Sequence, residues 1–203
     1  MLLTAALIAF LSTCAPGVGP VTMAAIVQHE SGWSAYAIGD NTTRRAYFPR
    51  SSRQATTIAE ELLREGHSID AGMAQINSGN WRKYGLNAAS VFDPCTNVSV
   101  GARIINADYW GAVRMFGPGQ LALWHALQAY NSGSYFAASK YANAVWADGL
   151  AISFTPRTQI ARTPTPVKAR IPWESLAFHP AQHVTPQTSP LLVTRRAERW
   201  STK

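Results

Sequence analysis

The chain has 203 residues, 47% of them hydrophobic, which suffices for one domain with a core plus additional segments. Its net charge of +7 is uneven: residues 1–154 carry ten Lys/Arg against nine Asp/Glu, and residues 155–203 carry eight against two. A nearly neutral first part argues against nucleic acid as its ligand, because a nucleic-acid-binding domain wears the positive charge itself.

Residues 1–13 are uncharged and mostly apolar, too short to span a bilayer, and without a basic leader segment. They are expected to form a first helix, 2–12, that doubles as an atypical export signal. Leu11-Ser-Thr-Cys14 has only a partial likeness to a lipoprotein cleavage site, and Thr13 fits it poorly.

The second helix is predicted over 20–31. Pro20 suits a first helical position, and Gly32 suits the residue just past the end. Met23, Ile26, Val27 and Glu30 share one face at i, i+3, i+4 and i+7. Three of them are apolar and the fourth is ionisable. Burial and the negative end of the helix dipole both disfavour the charged form of Glu30. Holding a carboxyl two units above its ordinary value costs about 2.7 kcal/mol, and it yields a group fit for general-acid work near neutral pH. The plainer reading is a solvated carboxylate marking the edge of the apolar face.

Tyr36 to Tyr47 contains Gly39-Asp40-Asn41, a turn signal that predicts a small β-hairpin or irregular loop. The stretch after it is rich in arginine (Arg44, Arg45, Arg50, Arg53). It reads most simply as a solvated loop; the sharper reading has the arginines hold carboxylates of a substrate. Further helices are predicted over 56–66, 97–107, 120–130 and 135–147. Asp70 to Asn77 is either a short strand or a turn leading into a helix. Trp110, Trp124 and Trp146 are expected to pack the core. From Thr155 the character changes: seven of the twelve prolines lie in 155–203. That composition predicts a basic, largely disordered tail, giving a domain over 1–154 and a tail over 155–203.

Cys14 and Cys95 are the only cysteines. They read either as a disulfide in an exported protein or as two buried thiols in a reducing compartment. The five histidines lack ligand spacing, so no metal and no cofactor are expected. No stable membrane span is expected.

Three blocks stand out in order: Glu30-Ser31-Gly32-Trp33, Gly72-Met73-Ala74-Gln75-Ile76-Asn77 and Ala129-Tyr130-Asn131-Ser132-Gly133. Together they resemble the lytic transglycosylases with a goose-type lysozyme fold. Cys14-Ala-Pro, Tyr36-Ala-Ile-Gly39, Ala71-Gly-Met-Ala-Gln-Ile-Asn77 and Phe92-Asp-Pro-Cys95 followed by Asn97, Gly101 and Ala102 narrow the likeness. They look like the transglycosylases of bacterial type IV secretion and conjugation systems. The resemblance covers roughly residues 10–147. It departs at Ala74, smaller than the family's methionine, and at His29, whose ring helical geometry points away from the apolar stripe.

The resemblance implies a mainly α, lysozyme-like (α+β) fold. It implies Glu30 as the single catalytic acid and base, with Ser31, Met73, Gln75, Asn77, Tyr130 and Asn131 binding substrate. Tyr130 is expected to bring its hydroxyl near Glu30, and Gln75 and Asn77 to offer amides to the sugar. Trp33 is a candidate for stacking on a sugar face. The other carboxylates considered, Asp40, Asp70, Asp93 and Asp108, lie in no block that matches a catalytic partner. The substrate implied is peptidoglycan, cleaved in the periplasm with a 1,6-anhydro end. Other secretion components are the partners expected for the basic tail. Because Cys14 and Cys95 both have counterparts in that subfamily, a bridge between them is expected. The alternatives are a hydrolytic muramidase on the same site and a glycan-binding assembly factor without turnover.

Overall fold

A computed structural model describes residues 2–154 of the chain. The expectation for the tail over 155–203 lies outside the described residues.

The first helix, α1 (Ala5–Cys14), starts three residues later than the sequence suggests. Thr4 is the reason: its hydroxyl caps the helix by accepting from the Leu7 amide. Leu2–Leu3 instead form a short strand, β1. Helix α2 runs Pro20–Ser31, with Pro20 in its first turn and Gly32 closing it in the left-handed region at φ 56°. These are the bounds the sequence predicts.

Strands β2 (Ile38–Asp40) and β3 (Arg45–Tyr47) form the expected hairpin. It belongs to a larger sheet. Strands β4 (Ile69–Ala71) and β5 (Ile76–Asn77) complete four antiparallel strands in the order β3-β2-β4-β5. Gly39 lies opposite Asp70, and Asp70 opposite Asn77. Between β2 and β4 lies α3 (Ser52–Arg64), capped by Ser51. After β5 comes α4 (Ser78–Tyr84), so the 70–77 stretch holds short strands and also leads into a helix, for which no bounds are predicted from sequence. Asn77 caps it and Gly85 ends it.

Helix α5 (Pro94–Phe116) is more than twice as long as expected. Asp93 caps its start through the Thr96 amide, and Gly117 ends it. Its interior glycines do not break it, because neighbours occupy the space a side chain would take. A Cβ on Gly101 would lie 2.7 Å from the Ala74 Cβ and 3.1 Å from the Tyr130 hydroxyl. The close packing of α5 on the 72–77 loop therefore requires glycine there.

Helices α6 (Gln120–Ser132) and α7 (Ser139–Leu150) complete the bundle. Strand β6 (Ser153–Phe154) pairs in parallel with β1 and joins the two ends of the domain. The core is apolar: Met23, Ile26, Val27, Ile105, Ala126 and Leu127 are buried together. Trp124 and Trp146 pack against it, but Trp110 does not; it stands 47% exposed on the outer face of α5. Cys14 and Cys95 form a disulfide tying the end of α1 to the start of α5. On the chain-entropy argument, a bridge over 81 residues stabilises by about 4 kcal/mol. Among the described residues no helix is long and apolar enough to cross a membrane, and no group of three metal-ligating side chains occurs.

Candidate active site

Glu30 sits in the last turn of α2, where its neighbours Met23, Ile26 and Val27 are fully buried. Burial pushes its pKa from 4.5 to about 7; a hydrogen bond from Tyr141 opposes the rise, and the charge of Asp70 adds to it. The Tyr141 hydroxyl donates to Glu30 Oε1. The other oxygen, Oε2, takes no partner among the described residues. The result is a carboxyl that shares its proton near neutral pH, oriented by one phenol and with one oxygen left for a ligand.

Tyr141 is absent from the sequence-derived site. Its signal is the same as that of Glu30: Tyr141, Val145 and Gly149 lie on one stripe of α7, and Val145 and Gly149 are buried. A polar tip on that stripe faces α2. His29 turns outward, as its helical position predicts: its Nδ1 lies 3.0 Å from Asp148 Oδ2 on α7. Its ring meets the edge of Tyr141 at a centroid distance of 5.1 Å, so it supports the phenol and leaves the carboxyl alone.

The 72–77 block forms the opposite wall. Ser31 Oγ donates to the Met73 carbonyl at 2.8 Å, joining the end of α2 to that block. Gly72 has φ 79°, and a Cβ there would lie 2.3 Å from Asn97 Nδ2. Gln75 holds the left-handed region at φ 45° without being glycine. Strain of this kind persists only where the surroundings enforce it, and it clusters at functional sites. Asn97, with no exposed surface, supplies much of that enforcement. Its Oδ1 accepts from the Ala74 amide at 2.7 Å, and its Nδ2 donates to the carbonyls of Ala71 and Val91, each at 2.9 Å.

Several of the residues expected to bind substrate also make hydrogen bonds within the wall. Gln75 Nε2 donates to the carbonyls of Gly72 (2.8 Å) and Ala37 (3.1 Å), so both its amide hydrogens are used. Asn77 Nδ2 donates to Asp70 Oδ1 at 2.8 Å and to Ser68, while Asn77 Oδ1 accepts from the Gly79 amide. Tyr130 donates to the Ala74 carbonyl at 2.7 Å. The hydroxyl on Glu30 belongs to Tyr141, because Tyr130 faces Gly101 and Ala74 across α5. Burial, followed by the charge of Glu30, holds the Tyr130 phenol well above its ordinary value, so it stays a neutral donor. Asn131 is exposed at the end of α6. Trp33, at φ 71°, is fixed beside α2 by donating from Nε1 to Gln28 Oε1 at 2.9 Å.

The remaining carboxylates divide sharply. Asp70 accepts from Asn41 on Oδ2 and from Asn77 on Oδ1, each at 2.8 Å. Burial still raises its pKa. Asp40 is buried in the hairpin and accepts from the amides of Thr42 and Thr43 and from the Thr43 hydroxyl, with His67 Nδ1 at 3.0 Å. Asp93 is the cap of α5. Asp108 lies on α5, where burial pushes it from 3.8 to about 7 against the pull of Lys83, and its Oδ2 is buried without a hydrogen-bond partner. Among the described residues only Glu30 combines an oriented oxygen, an open oxygen and a pKa raised to the neutral range.

Residues 9–151 match the transglycosylase SLT domain. The chain belongs to the transglycosylase SLT domain family.

Relatives within reach of this SLT chain come from bacteria. It is 39% identical over 126 residues to "Protein virB1" of Agrobacterium fabrum, covering 62% of this chain and 51% of the relative. It is 44% identical over 123 residues to "Type IV secretion system protein virB1" of Brucella abortus, covering 60% and 52%. It is 36% identical over 122 residues to "Protein virB1" of Rhizobium radiobacter, covering 60% and 51%. The SLT chain thus spans about half the length of the curated relatives it matches. No solved structure matches it with significance.

Proposed function

We propose that the chain is a peptidoglycan lytic transglycosylase acting in the periplasm, where it opens the wall locally for a type IV secretion or conjugation machine. The observation that carries this reading is Glu30: a buried carboxyl with a pKa of about 7, oriented by Tyr141 and open on one oxygen.

Glu30 gives its proton to the oxygen of the β-1,4 bond between N-acetylmuramic acid and N-acetylglucosamine. The bond from C1 to that oxygen breaks, and the N-acetylglucosamine side leaves as an alcohol. The carboxylate then takes the proton of the muramyl C6 hydroxyl. That oxygen closes on C1 and gives a 1,6-anhydro end, and Glu30 is protonated again. One residue serves as acid and then as base. A hydrolase of the usual kind needs a second carboxylate to act as nucleophile or to activate water. Asp70 is tied into the sheet wall by Asn41 and Asn77, one bond to each oxygen. Its charge instead helps keep the proton on Glu30.

In this reading Ser31 presents an oxygen that still accepts a hydrogen bond from a substrate N–H. Met73, Gln75, Asn77 and Tyr130 hold the wall in shape, and Asn131 stands at its rim. The Cys14–Cys95 disulfide supports an oxidising compartment. The virB1 relatives, one of them named as a type IV secretion protein, support the machine context. The basic residues 155–203 are the segment we assign to contacts with other secretion components.

The test is release of soluble fragments from dye-labelled sacculi by the full chain and by Glu30→Gln. Wild type is expected to release label, and the variant to fall by about a thousandfold. A folded wild type that binds sacculi without releasing label would favour the assembly-factor reading.

A further inference from the structure

The β2–β3 hairpin borders an open surface hollow of about 370 Å³ lined by Gly39, Asp40, Asn41, Arg44, Arg45 and Ala46. Between Asp40 and Glu60 the chain carries four arginines and no carboxylate. Arg44 and Arg45 are exposed, and among the described residues neither has an ion pair. Asp40, the one acidic residue lining the pocket, makes no ion pair with either of them. Asp40 is only 2% exposed as a residue, and its oxygens accept from Thr42 and Thr43 and face His67. Those bonds also fix the turn, where Arg44 holds φ 59° without being glycine. The backbone that carries Arg44 is thus held in place by the buried Asp40 carboxylate.

The pocket adjoins the catalytic cleft. Gly39 pairs with Asp70, and a Cβ on Gly39 would lie 3.2 Å from Gln75 Oε1. Asn41 donates directly to Asp70, the carboxylate whose charge acts on Glu30. Hairpin and catalytic acid therefore share one polar wall.

Resting on the peptidoglycan reading, we infer that this pocket is a subsite for a carboxylate of the stem peptide, bound by Arg44 and Arg45. The sugar backbone of a glycan strand carries hydroxyls and acetamido groups but no charge. The nearby anionic groups of peptidoglycan are the free carboxylates of the peptide joined to the muramyl lactyl group. A guanidinium presents a planar fork of donors that matches a carboxylate, and two such forks fix its orientation as well as its charge. The subsite makes strands that still carry stem peptides the preferred substrate.

The experiment compares glycan strands whose stem peptides keep their free carboxylates with the same strands after those carboxylates have been converted to amides. The full-length protein and the Arg44→Gln/Arg45→Gln double variant are assayed on both. Wild type is expected to show a KM about tenfold lower on strands with free stem carboxylates. The double variant raises that KM until the two strand types are equal substrates, and the wild-type preference shrinks with added salt. Equal KM values for wild type, or a preference that survives the double substitution, would overturn the subsite. So would arginine-dependent binding to phosphatidylglycerol vesicles without any strand preference. If wild type cuts neither strand, the cleavage reading fails by itself. Equilibrium binding of the same two strands to the same two proteins then decides the subsite by the same criterion.

Discussion

The Tyr141 hydroxyl donates to the Glu30 carboxylate across 111 residues of chain, and this contact joins α7 to the last turn of α2. A donor on a carboxylate favours its charged form, so Tyr141 restrains the rise that burial imposes on Glu30. Burial also holds the Tyr141 phenol itself well above its ordinary value, which keeps it a donor throughout the working pH range.

Removing that donor has two expected effects. Tyr141→Phe moves the pKa of Glu30 further up, so the high-pH fall in activity shifts to higher pH. The carboxyl also loses its fixed orientation, and kcat drops by about tenfold. A pH–rate profile of the variant checks both. A shift to lower pH would contradict the assigned role.

Asp70 works in the opposite direction. Its charge raises the pKa of Glu30, so Asp70→Asn lowers it and moves the high-pH fall in activity to lower pH. Asn41 and Asn77 both donate to Asp70, so the substitution also puts an amide against amides. A thermal melt run beside the pH profile separates the loss of packing from the loss of charge.

The raised pKa of Glu30 has a cost in stability. Its folded value of about 7 lies above the 4.5 of an exposed carboxyl. The folded state keeps a proton that the unfolded state releases, so stability falls as pH rises from about 4.5 to 7 and stays reduced above that. A carboxyl moved that far corresponds to about 3 kcal/mol. Glu30→Gln is therefore expected to be more stable than wild type at pH 8, with little difference at pH 4. Denaturant unfolding at the two pH values measures it. Asp108, pushed by burial to about 7, predicts the same sign for Asp108→Asn.

Asn97 predicts a large loss. Asn97→Ala leaves the Ala74 amide and the carbonyls of Ala71 and Val91 without their partner in a buried place. Such groups cost about 1–3 kcal/mol each when unsatisfied, so a total of about 3 kcal/mol or more is expected. Activity should fall as well, because Asn97 holds the backbone turn next to Gln75. Chemical denaturation and sacculus digestion on the same preparation check the pair.

Helix α2 was readable from sequence to the residue, because proline at its start and glycine just past its end are both local signals. The inward position of Glu30 was readable for the same reason. Helix α5 was read short because Asp108 and Gly111 interrupt its apolar pattern; only the packing of Tyr135 over Gly111 shows why glycine belongs there. Helix α4 has seven residues, including Gly79 and Asn80, too few for periodicity to speak. Strands β1 and β6 have two residues each and pair across the whole domain, a relation with no local trace. At the site, the three sequence blocks lie far apart in the chain and the fold brings them together, Ser31 on Met73 and Tyr130 on Ala74, but the other hydrogen bonds among them have no sequence signal. Gln75 and Asn77 turned out to spend their amides on the backbone and on Asp70, and Tyr141 is fixed by a partner that no nearby residue reveals.

Product identity tests the central claim most directly. Purified sacculi digested by the wild-type chain would be resolved by mass into muropeptides. A single acid and base at Glu30 predicts 1,6-anhydromuramyl ends, each lighter by one water than its hydrolytic counterpart, and none from Glu30→Gln. Reducing muramyl ends from wild type would contradict the single-residue mechanism and require a carboxylate other than Glu30 to activate water.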